Sequence, residues 1–228
     1  MGSEGARLVI ERFPPIESAD SSGLLAIGGD LEVESLILAY SQGIFPWPIN
    51  QEVPLAWFAP DPRGVLMVDK VHTPRSLKKA IRQGERSGWT LKFNHQFNKI
   101  IQQCADPANR LQRDGHWLTQ DMIEAYTNLH QQGLAYSLGA YQDGELIGGI
   151  YGVWMGDFVS GESMFHCQTN ASKYCLISLV EIIKQRGIKW LDTQMLTPVV
   201  ASLGGEEITR TTFIQMLATS FAPQGATL

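Results

Sequence analysis

The sequence predicts an α/β (α+β) protein built around a mixed, largely antiparallel sheet. Three β-rich runs, separated by short turns that contain glycine, occupy residues 134–141, 146–153 and 158–166. This spacing is typical of an antiparallel meander. A helical pattern follows with Asn170 as the expected cap and Gly187 as its stop, and it leads into a further strand at 189–194. With 228 residues and 44% hydrophobic content, the chain can bury a full core.

The remaining elements follow from local periodicity and from residues that start or end helices. Strands are predicted at 65–68 and 89–93, and helices from Thr73-Pro74 onward, around 96–103, after Thr119 and at 209–220. Thr119 is the expected cap of its helix, and Gly133 is expected to end it. Residues 106–115 are predicted to form a polar loop.

Residues 1–62 are predicted to form a small N-terminal domain that packs on a larger domain, residues 63–228. The small domain is acidic and rich in proline, with few periodic segments. Its one clear helix has Asp30 as the expected cap and Gly43 beyond its end. The apolar stripe of that helix consists of Val33, Leu36, Ile37 and Tyr40.

Two groups of aromatic residues in this domain lie between prolines. Pro46 and Pro48 flank Trp47, and further prolines surround Trp57 and Phe58. Because proline fixes φ, these rings are held on stiff backbone that has little entropy left to lose. The segment is therefore suited to a rigid aromatic platform for a flat ligand.

Charge is distributed unevenly along the chain. The net charge is −5, yet residues 70–113 carry ten Lys/Arg and two Asp/Glu, whereas the flanking segments are acidic. On the helix after Pro74, four cations recur with helical spacing: Arg75, Lys79, Arg82 and Arg86. The alternative is a solvated helix face, but one-sided charge with almost no interleaved acid favours contact with a polyanion.

Composition argues against several other classes of protein. No apolar run approaches the roughly 18 residues that a membrane-spanning helix needs, and no signal-peptide core is present, so we expect a cytoplasmic protein. Cys104, Cys167 and Cys175 form no CxxC pattern and are expected to be reduced thiols. No motif indicates a metal site.

Several motifs occur in an order that resembles the bacterial leucyl/phenylalanyl-tRNA–protein transferases. They are GLLAIGGDL, AYSQGIFPW, WFAPDPR, HWLTQDMIEAYTNLH, GGIYGV, GESMF, NASK, LDTQ and ASLGGEEI. They cover nearly the whole chain, and a single one of them would be weak evidence. FAPDPR departs slightly from the family pattern, which usually has a second aromatic residue and serine before PDPR.

The resemblance implies an enzyme that moves Leu or Phe, with Met as a third candidate donor, from aminoacyl-tRNA to acceptor proteins. The acceptors begin with Arg or Lys, and the added residue marks them for degradation by the N-end rule (N-degron) route. The ester is already activated, so no cofactor is required. In its larger domain the family is similar to GNAT acyltransferases, and the predicted meander is compatible with that fold.

Two alternatives from other functional classes remain. An acetyl-coenzyme A N-acetyltransferase would carry a glycine-containing loop that binds pyrophosphate at a helix N-terminus, but HCQTNASKY contains no glycine at that junction. A non-catalytic tRNA-binding module would bind charged tRNA without transferring the amino acid. A serine or cysteine nucleophile is disfavoured, because no G-x-S-x-G motif occurs.

The resemblance assigns Trp47 and Trp117 to the 3′-terminal adenosine of the tRNA, where aromatic stacking contributes about 1–3 kcal/mol per base. The alternative for both is core packing. Tyr40 could close the same site with its hydroxyl, or it could be a buried tyrosine on the helix face.

The acceptor or aminoacyl pocket is predicted to involve Glu162, Met164, Phe165 and Tyr126. A carboxylate on a strand with apolar neighbours should be paired or should await a cation, and the acceptor's ammonium or guanidinium would serve. The alternative is a structural ion pair with an internal Lys or Arg. Met164 and Phe165 would line the pocket for the transferred side chain, or they would simply be core.

Asp192 and Gln194 are the predicted catalytic pair. Because they are two residues apart on a strand, their side chains are expected on the same side of the sheet. The resemblance implies that Gln194 aligns the attacking amine and that Asp192 orients the Gln194 amide. The alternative is a hydrogen-bond network at a strand end without catalytic duty.

Overall fold

The structure, a computed structural model, describes residues 9–49, 52, 55–109 and 118–221. In this part of the chain, the strands β1 to β11 are Leu24–Ile27, Phe45–Trp47, Ala56–Phe58, Arg63–Met67, Thr90–Phe93, Ala135–Gln142, Glu145–Met155, Phe158–Val159, Ser163–His166, Trp190–Gln194 and Glu206–Ile208. The α-helices α1 to α7 are Val33–Ser41, Arg75–Arg86, Phe97–Ala105, Gln120–Gln131, Ala171–Gln185, Pro198–Ser202 and Arg210–Ser220.

The strands form three sheets, with the orders β1-β3-β2, β10-β4-β11 and β5-β6-β7-β8, and β9 also pairs with β7. All of these pairings are antiparallel. An isolated parallel bridge joins Ser160 to Asp192. The predicted mixed, largely antiparallel α/β class is confirmed.

The small sheet comes from the proline-rich segment, where no strands were predicted. Pro46 can occupy β2 because β2 is an edge strand of this sheet. On the central strand β3, the indole of Trp57 is buried and donates a hydrogen bond to the carbonyl of Gly28 at 2.8 Å. The ring of Phe13 packs edge-on against it at 4.8 Å. These short strands lack the alternation that identifies longer strands in a sequence.

The predicted meander holds for β6 and β7, which meet at the expected turn between Gln142 and Glu145. The prediction of one strand over 158–166 is wrong, because that run forms the two strands β8 and β9. The pairing register with β7 shifts by one residue between them. The reason is that the chain turns toward β10 here, where the Gly161 N–H donates to the carbonyl of Asp192 at 2.8 Å.

Helix starts follow the predictions with two differences. Thr119 and Thr209 cap α4 and α7 by accepting hydrogen bonds from main-chain N–H groups. Asp30 does not cap α1, since Glu32 occupies the cap position, but Asp30 binds the Glu32 N–H at 2.9 Å in the preceding turn. Asn170 occupies the cap position of α5 in a left-handed conformation, without a side-chain capping bond.

The core consists of two clusters on the two faces of the main sheet. The first includes Leu36, Ile100 and Phe165, so it joins the predicted small domain to the larger one. The second includes Leu77 on α2 and Leu176 on α5. The predicted boundary between residues 62 and 63 stays a prediction. In the described part of the chain, no helix has the length and apolarity that a membrane crossing requires.

Candidate active site

The irregularity between β8 and β9 places Glu162 inside the protein. Gly152 on β7 makes this possible, because a Cβ at that position would lie 1.8 Å from the carbonyl oxygen of Ser160. The Ser160 N–H donates to Val153 at 2.9 Å, and the Glu162 N–H donates to Tyr151 at 3.0 Å. The backbone therefore stays attached to β7 while the register shift redirects its side chains.

Glu162 is 9% exposed, and neutral groups satisfy both of its carboxylate oxygens. Oε1 accepts from the Ser160 hydroxyl at 2.7 Å and from the Gln194 amide at 2.8 Å. Oε2 accepts from the Tyr126 hydroxyl at 3.2 Å. The Tyr126 and Tyr40 hydroxyl oxygens are 2.7 Å apart, and Tyr40 is the donor because Tyr126 uses its own proton on Glu162.

The charge of Glu162 has no cationic partner among the described residues. The internal Lys or Arg that would form a structural ion pair is not found there. Burial raises the pKa of Glu162 above its usual value, although the hydrogen bonds from Ser160 and Gln194 oppose the rise. Burial also raises the pKa of Tyr40 and of Tyr126, which stay neutral. The site therefore favours a bound cation.

Asp192, by contrast, is fully neutralised by Arg63. Both residues are buried, and the guanidinium donates to the two carboxylate oxygens at 2.9 and 2.6 Å. A pairing of this kind is the strong, bidentate form of the interaction. Arg63, which ends the WFAPDPR motif, was not predicted to be a site residue.

Gln194 is held differently from the prediction. A register shift between Asp192 and Gln194, together with a φ of 61° at Gln194, interrupts the alternation of the strand. Asp192 accepts the main-chain N–H of Gln194 at 2.9 Å, while the side-chain amide binds Glu162. The predicted orientation of the amide by Asp192 is therefore wrong: Glu162 orients it. Gly64 allows the approach, since a Cβ there would lie 2.4 Å from the Met195 backbone.

Of the residues predicted to bind adenosine, Trp47 is half-buried at the end of β2 and packs against the first core cluster. Trp117 lies outside the described residues. Tyr40 is 1% exposed and belongs to the hydrogen-bond network of Glu162, which corresponds to the alternative of a buried tyrosine on the helix face. Their roles toward adenosine stay predictions.

Met164 and Phe165 do not lie together. Phe165 belongs to the first core cluster, on the side of Tyr126, whereas Met164 packs against the second cluster. Adjacent residues on a strand point to opposite faces, so β9 cannot direct both side chains into one pocket. Neither side chain joins the hydrogen-bond network of Glu162 within the described residues. A lining role for either side chain alone stays a prediction.

The basic helix is α2, and its four cations are all exposed: Arg75, Lys79, Arg82 and Arg86. No carboxylate in the described part forms an ion pair with any of them. The single acidic residue of α2, Glu85, accepts a hydrogen bond from the Tyr174 hydroxyl at 3.2 Å. An external anion can therefore reach all four cations of α2.

A surface groove and a metal site are two other kinds of site that the described part of the chain could contain. A groove of about 840 Å³ lies between residues 12–16 and helix α7, and it contains none of the residues bound to Glu162. Among the described residues, no group of three or more His, Cys, Asp or Glu side chains is arranged to hold a metal ion. The site offers a ligand one buried carboxylate, held by neutral donors, and the carboxamide of Gln194.

Comparison with known proteins identifies the family. The family model described as leucyl/phenylalanyl-tRNA protein transferase matches residues 65–218, and the model of its N-terminal domain matches residues 29–61. Relatives named leucyl/phenylalanyl-tRNA–protein transferase come from Shewanella halifaxensis (strain HAW-EB4) and Stutzerimonas stutzeri (strain A1501). The first is 44% identical over 90% of this chain and 85% of the relative, and the second 44% identical over 90% and 89%.

Solved structures align more distantly. L-PGS from Bacillus licheniformis aligns with a TM-score of 0.44 at 14% identity, over 73% of this chain and 51% of that chain. A GCN5-related N-acetyltransferase-like protein from Streptococcus suis aligns with a TM-score of 0.37 at 13% identity, over 75% of this chain and 61% of that chain.

Fold and site together define a mixed α/β protein with a buried carboxylate whose described hydrogen-bond partners are all neutral. The chain belongs to the leucyl/phenylalanyl-tRNA protein transferase family. The resemblance drawn from the sequence motifs is confirmed, and so is the enzyme class, an aminoacyltransferase. The acetyl-coenzyme A N-acetyltransferase alternative receives no support from this assignment.

Proposed function

We propose that this protein transfers Leu or Phe from aminoacyl-tRNA to the N-terminal Arg or Lys of acceptor proteins, which marks them for degradation. One observation carries the acceptor side of the proposal. Glu162 is a buried carboxylate whose described partners are all neutral, whereas the neighbouring Asp192 is paired with Arg63. An acceptor with a cationic N-terminal residue supplies the missing charge.

The reaction is aminolysis of an ester. The amine nitrogen bonds to the ester carbonyl carbon, and the bond to the ribose oxygen breaks. An ammonium acceptor loses two protons overall: one goes to the leaving ribose oxygen, and the other goes to a base or to water. The ester supplies the free energy, so the protein orients the reactants and moves protons.

Gln194 is suited to align the amine. Its amide nitrogen is used on Glu162, which fixes the direction of the carboxamide. Its carbonyl oxygen accepts no hydrogen bond within the described part, so it can accept one from the attacking amine. A carboxamide is a poor base, whereas the raised pKa of Glu162 suits that residue to take up the released proton.

The donor side of the proposal rests on aromatic and basic groups. Trp47 lies on a short strand between two prolines, which holds its ring in place for stacking on the terminal adenosine. Trp117 is assigned the same role by family resemblance alone. The four cations of α2 would contact phosphates in the body of the tRNA.

A direct test combines leucyl-tRNA with a peptide that starts with Arg. Mass spectrometry should detect a peptide that is one leucine heavier, formed only when the protein is present. The same peptide with an acetylated N-terminus is the matched control, because it keeps the side chain but lacks the attacking amine. Binding of leucyl-tRNA without any transfer would support the non-catalytic tRNA-binding module instead.

A further inference from the structure

Arg63, at the start of β4, is a buried cation that holds three parts of the chain together. Besides its two hydrogen bonds to Asp192, its Nη1 donates to the main-chain carbonyl of Gly43 at 3.0 Å. The rings of Phe45 and Phe213 lie 4.8 and 4.4 Å from its Cζ. The guanidinium is therefore enclosed by acceptors and rings, and the rings replace water around its planar charge.

The first of these links leads to Gln194. Oδ1 of Asp192 accepts both the Nε–H of Arg63 and the main-chain N–H of Gln194, each at 2.9 Å. Gln194 has a φ of 61°, a conformation that a residue with a side chain keeps only when its surroundings enforce it. The Asp192 carboxylate, fixed by Arg63, keeps the Gln194 backbone in this conformation. In this conformation the Gln194 side-chain amide reaches Glu162.

The second link leads to the segment that carries Trp47. Gly43 follows helix α1, which ends at Ser41, and the next strand, β2, begins at Phe45 and ends at Trp47. Arg63 donates to the carbonyl of Gly43 and stacks on the ring of Phe45. One guanidinium thus touches both the segment proposed to position the adenosine and the carboxylate that holds Gln194.

We propose that Arg63 is a positioning residue of the transfer reaction, which keeps Gln194 in register with the Trp47 segment. The inference rests on the proposed function. Lysine cannot replace Arg63 in this role, because one ammonium does not reproduce a planar fork with three directed hydrogen bonds. A purely structural ion pair would instead affect stability and leave the chemistry of folded molecules unchanged.

The test is Arg63→Lys, assayed with leucyl-adenosine as donor and an Arg-starting peptide as acceptor, both varied to saturation. We expect kcat per folded molecule to fall by about 100-fold, the effect of a small misplacement of reacting groups, while KM for the peptide changes far less. Thermal unfolding gives the folded fraction. Lys70→Gln is the matched control: it breaks the exposed Lys70–Glu206 pair, of 2.7 Å, beside the same strand. Its kcat should equal that of the wild type.

A second variant, Arg63→Met combined with Asp192→Asn, removes both charges of the pair, so neither partner is left as an unpaired buried ion. The amide introduced at position 192 carries no charge, but its oxygen can still accept the Gln194 N–H, so the variant removes the guanidinium and the carboxylate charge together while keeping that acceptor. We expect a similar fall in kcat. Wild-type kcat per folded molecule in either variant would overturn the role of Arg63. Absence of transfer by the wild type would refute the proposed function instead, so the two failures are distinguishable.

Discussion

The amide nitrogen of Gln194 lies 2.8 Å from Oε1 of Glu162. This contact joins two polar residues of the site that come from separate parts of the chain, one in the bulge before β9 and the other at the end of β10. Because the contact uses the donor side of the carboxamide, the acceptor side is left for substrate. In the proposed function, this single hydrogen bond would couple acceptor binding at Glu162 to alignment of the amine by Gln194.

Replacement of Glu162 by Gln should impair use of the acceptor. The variant lacks the negative charge that a cationic N-terminus would meet in a buried site. Removal of one partner of a buried charge pair costs about 2–5 kcal/mol of binding free energy. Transfer to Arg- and Lys-starting peptides, measured as kcat/KM, should fall by that amount, while donor binding is maintained. Glu207→Gln, on the exposed face of β11, is the control. Equal losses in acceptor and donor use would indicate a structural carboxylate.

Trp47→Ala should weaken use of the donor by about 1–3 kcal/mol, since the variant cannot stack on a base. Trp117→Ala is expected to do the same. KM for leucyl-adenosine is the measurement, with thermal unfolding recorded in parallel. Phe93→Ala removes an aromatic ring that is 40% exposed and lies outside the proposed site, so it should leave this KM unchanged. Unaltered donor affinity with a native unfolding curve would contradict stacking on Trp47.

Neutralising the four cations of α2 should weaken the use of intact tRNA as donor but not the use of a minimal donor. Replacement of all four residues by Gln should reduce the slope of log affinity against log salt by about 0.7–0.9 for each phosphate that is no longer neutralised. Leucyl-adenosine lacks the distant phosphates, so its use should hardly change. The control is the double variant Lys184→Gln with Lys189→Gln, which removes two exposed cations outside α2. If the use of both donors falls equally, or the use of neither falls, α2 does not contact the body of the tRNA.

The pH dependence of transfer should report the titration of Glu162. Its pKa is raised mainly by burial, so the carboxylate becomes protonated at a higher pH than an exposed glutamate does. The cation site is charged above this raised pKa and is lost as the pH falls through it. We expect an acidic limb in kcat/KM for the acceptor above the ordinary glutamate value of 4.5, and Glu162→Gln should abolish it. A limb that persists in the variant would belong to another group.

The same titration has the opposite sign for stability. Between the ordinary pKa of the unfolded chain and the raised pKa of the folded state, the folded protein binds a proton on Glu162 that the unfolded chain has released. This group therefore favours folding at low pH, and its contribution disappears as the pH rises through the folded-state pKa. A cationic acceptor that binds the ionised site should offset this decline in stability on the alkaline side.

The sequence singled out polar residues that the structure brings together, but it did not predict how they are connected. The motif residues Glu162, Asp192 and Gln194 are linked by hydrogen bonds, while their roles in the reaction stay predictions. Periodicity predicted β6, β7 and most of the helices. The bulges at β8–β9 and in β10 were not foreseeable, because each depends on close approach of a backbone to a glycine: Ser160 to Gly152, and the distant Met195 to Gly64. Both bulges alter which way a side chain points, and this is why the predicted partner of the Gln194 amide was wrong.

Arg63 escaped prediction for a related reason. Its partner Asp192 is 129 residues away in the sequence, and one of its stacking rings, Phe213, lies still further along. Local pattern carries no information about a pair of this separation. The sequence predicted a cation for Glu162 alone, so it did not indicate that Asp192 is the carboxylate paired with Arg63.

These separations have a consequence for synthesis on the ribosome. Arg63 leaves the exit tunnel early, yet the carboxylate and the second ring that enclose it belong to β10 and α7, which are made much later. Contacts of long sequence range cannot form before both ends exist. A nascent chain that ends before β10 therefore cannot assemble the anchor of Gln194, and a polypeptide released before that strand is made should not acquire aminoacyltransferase activity.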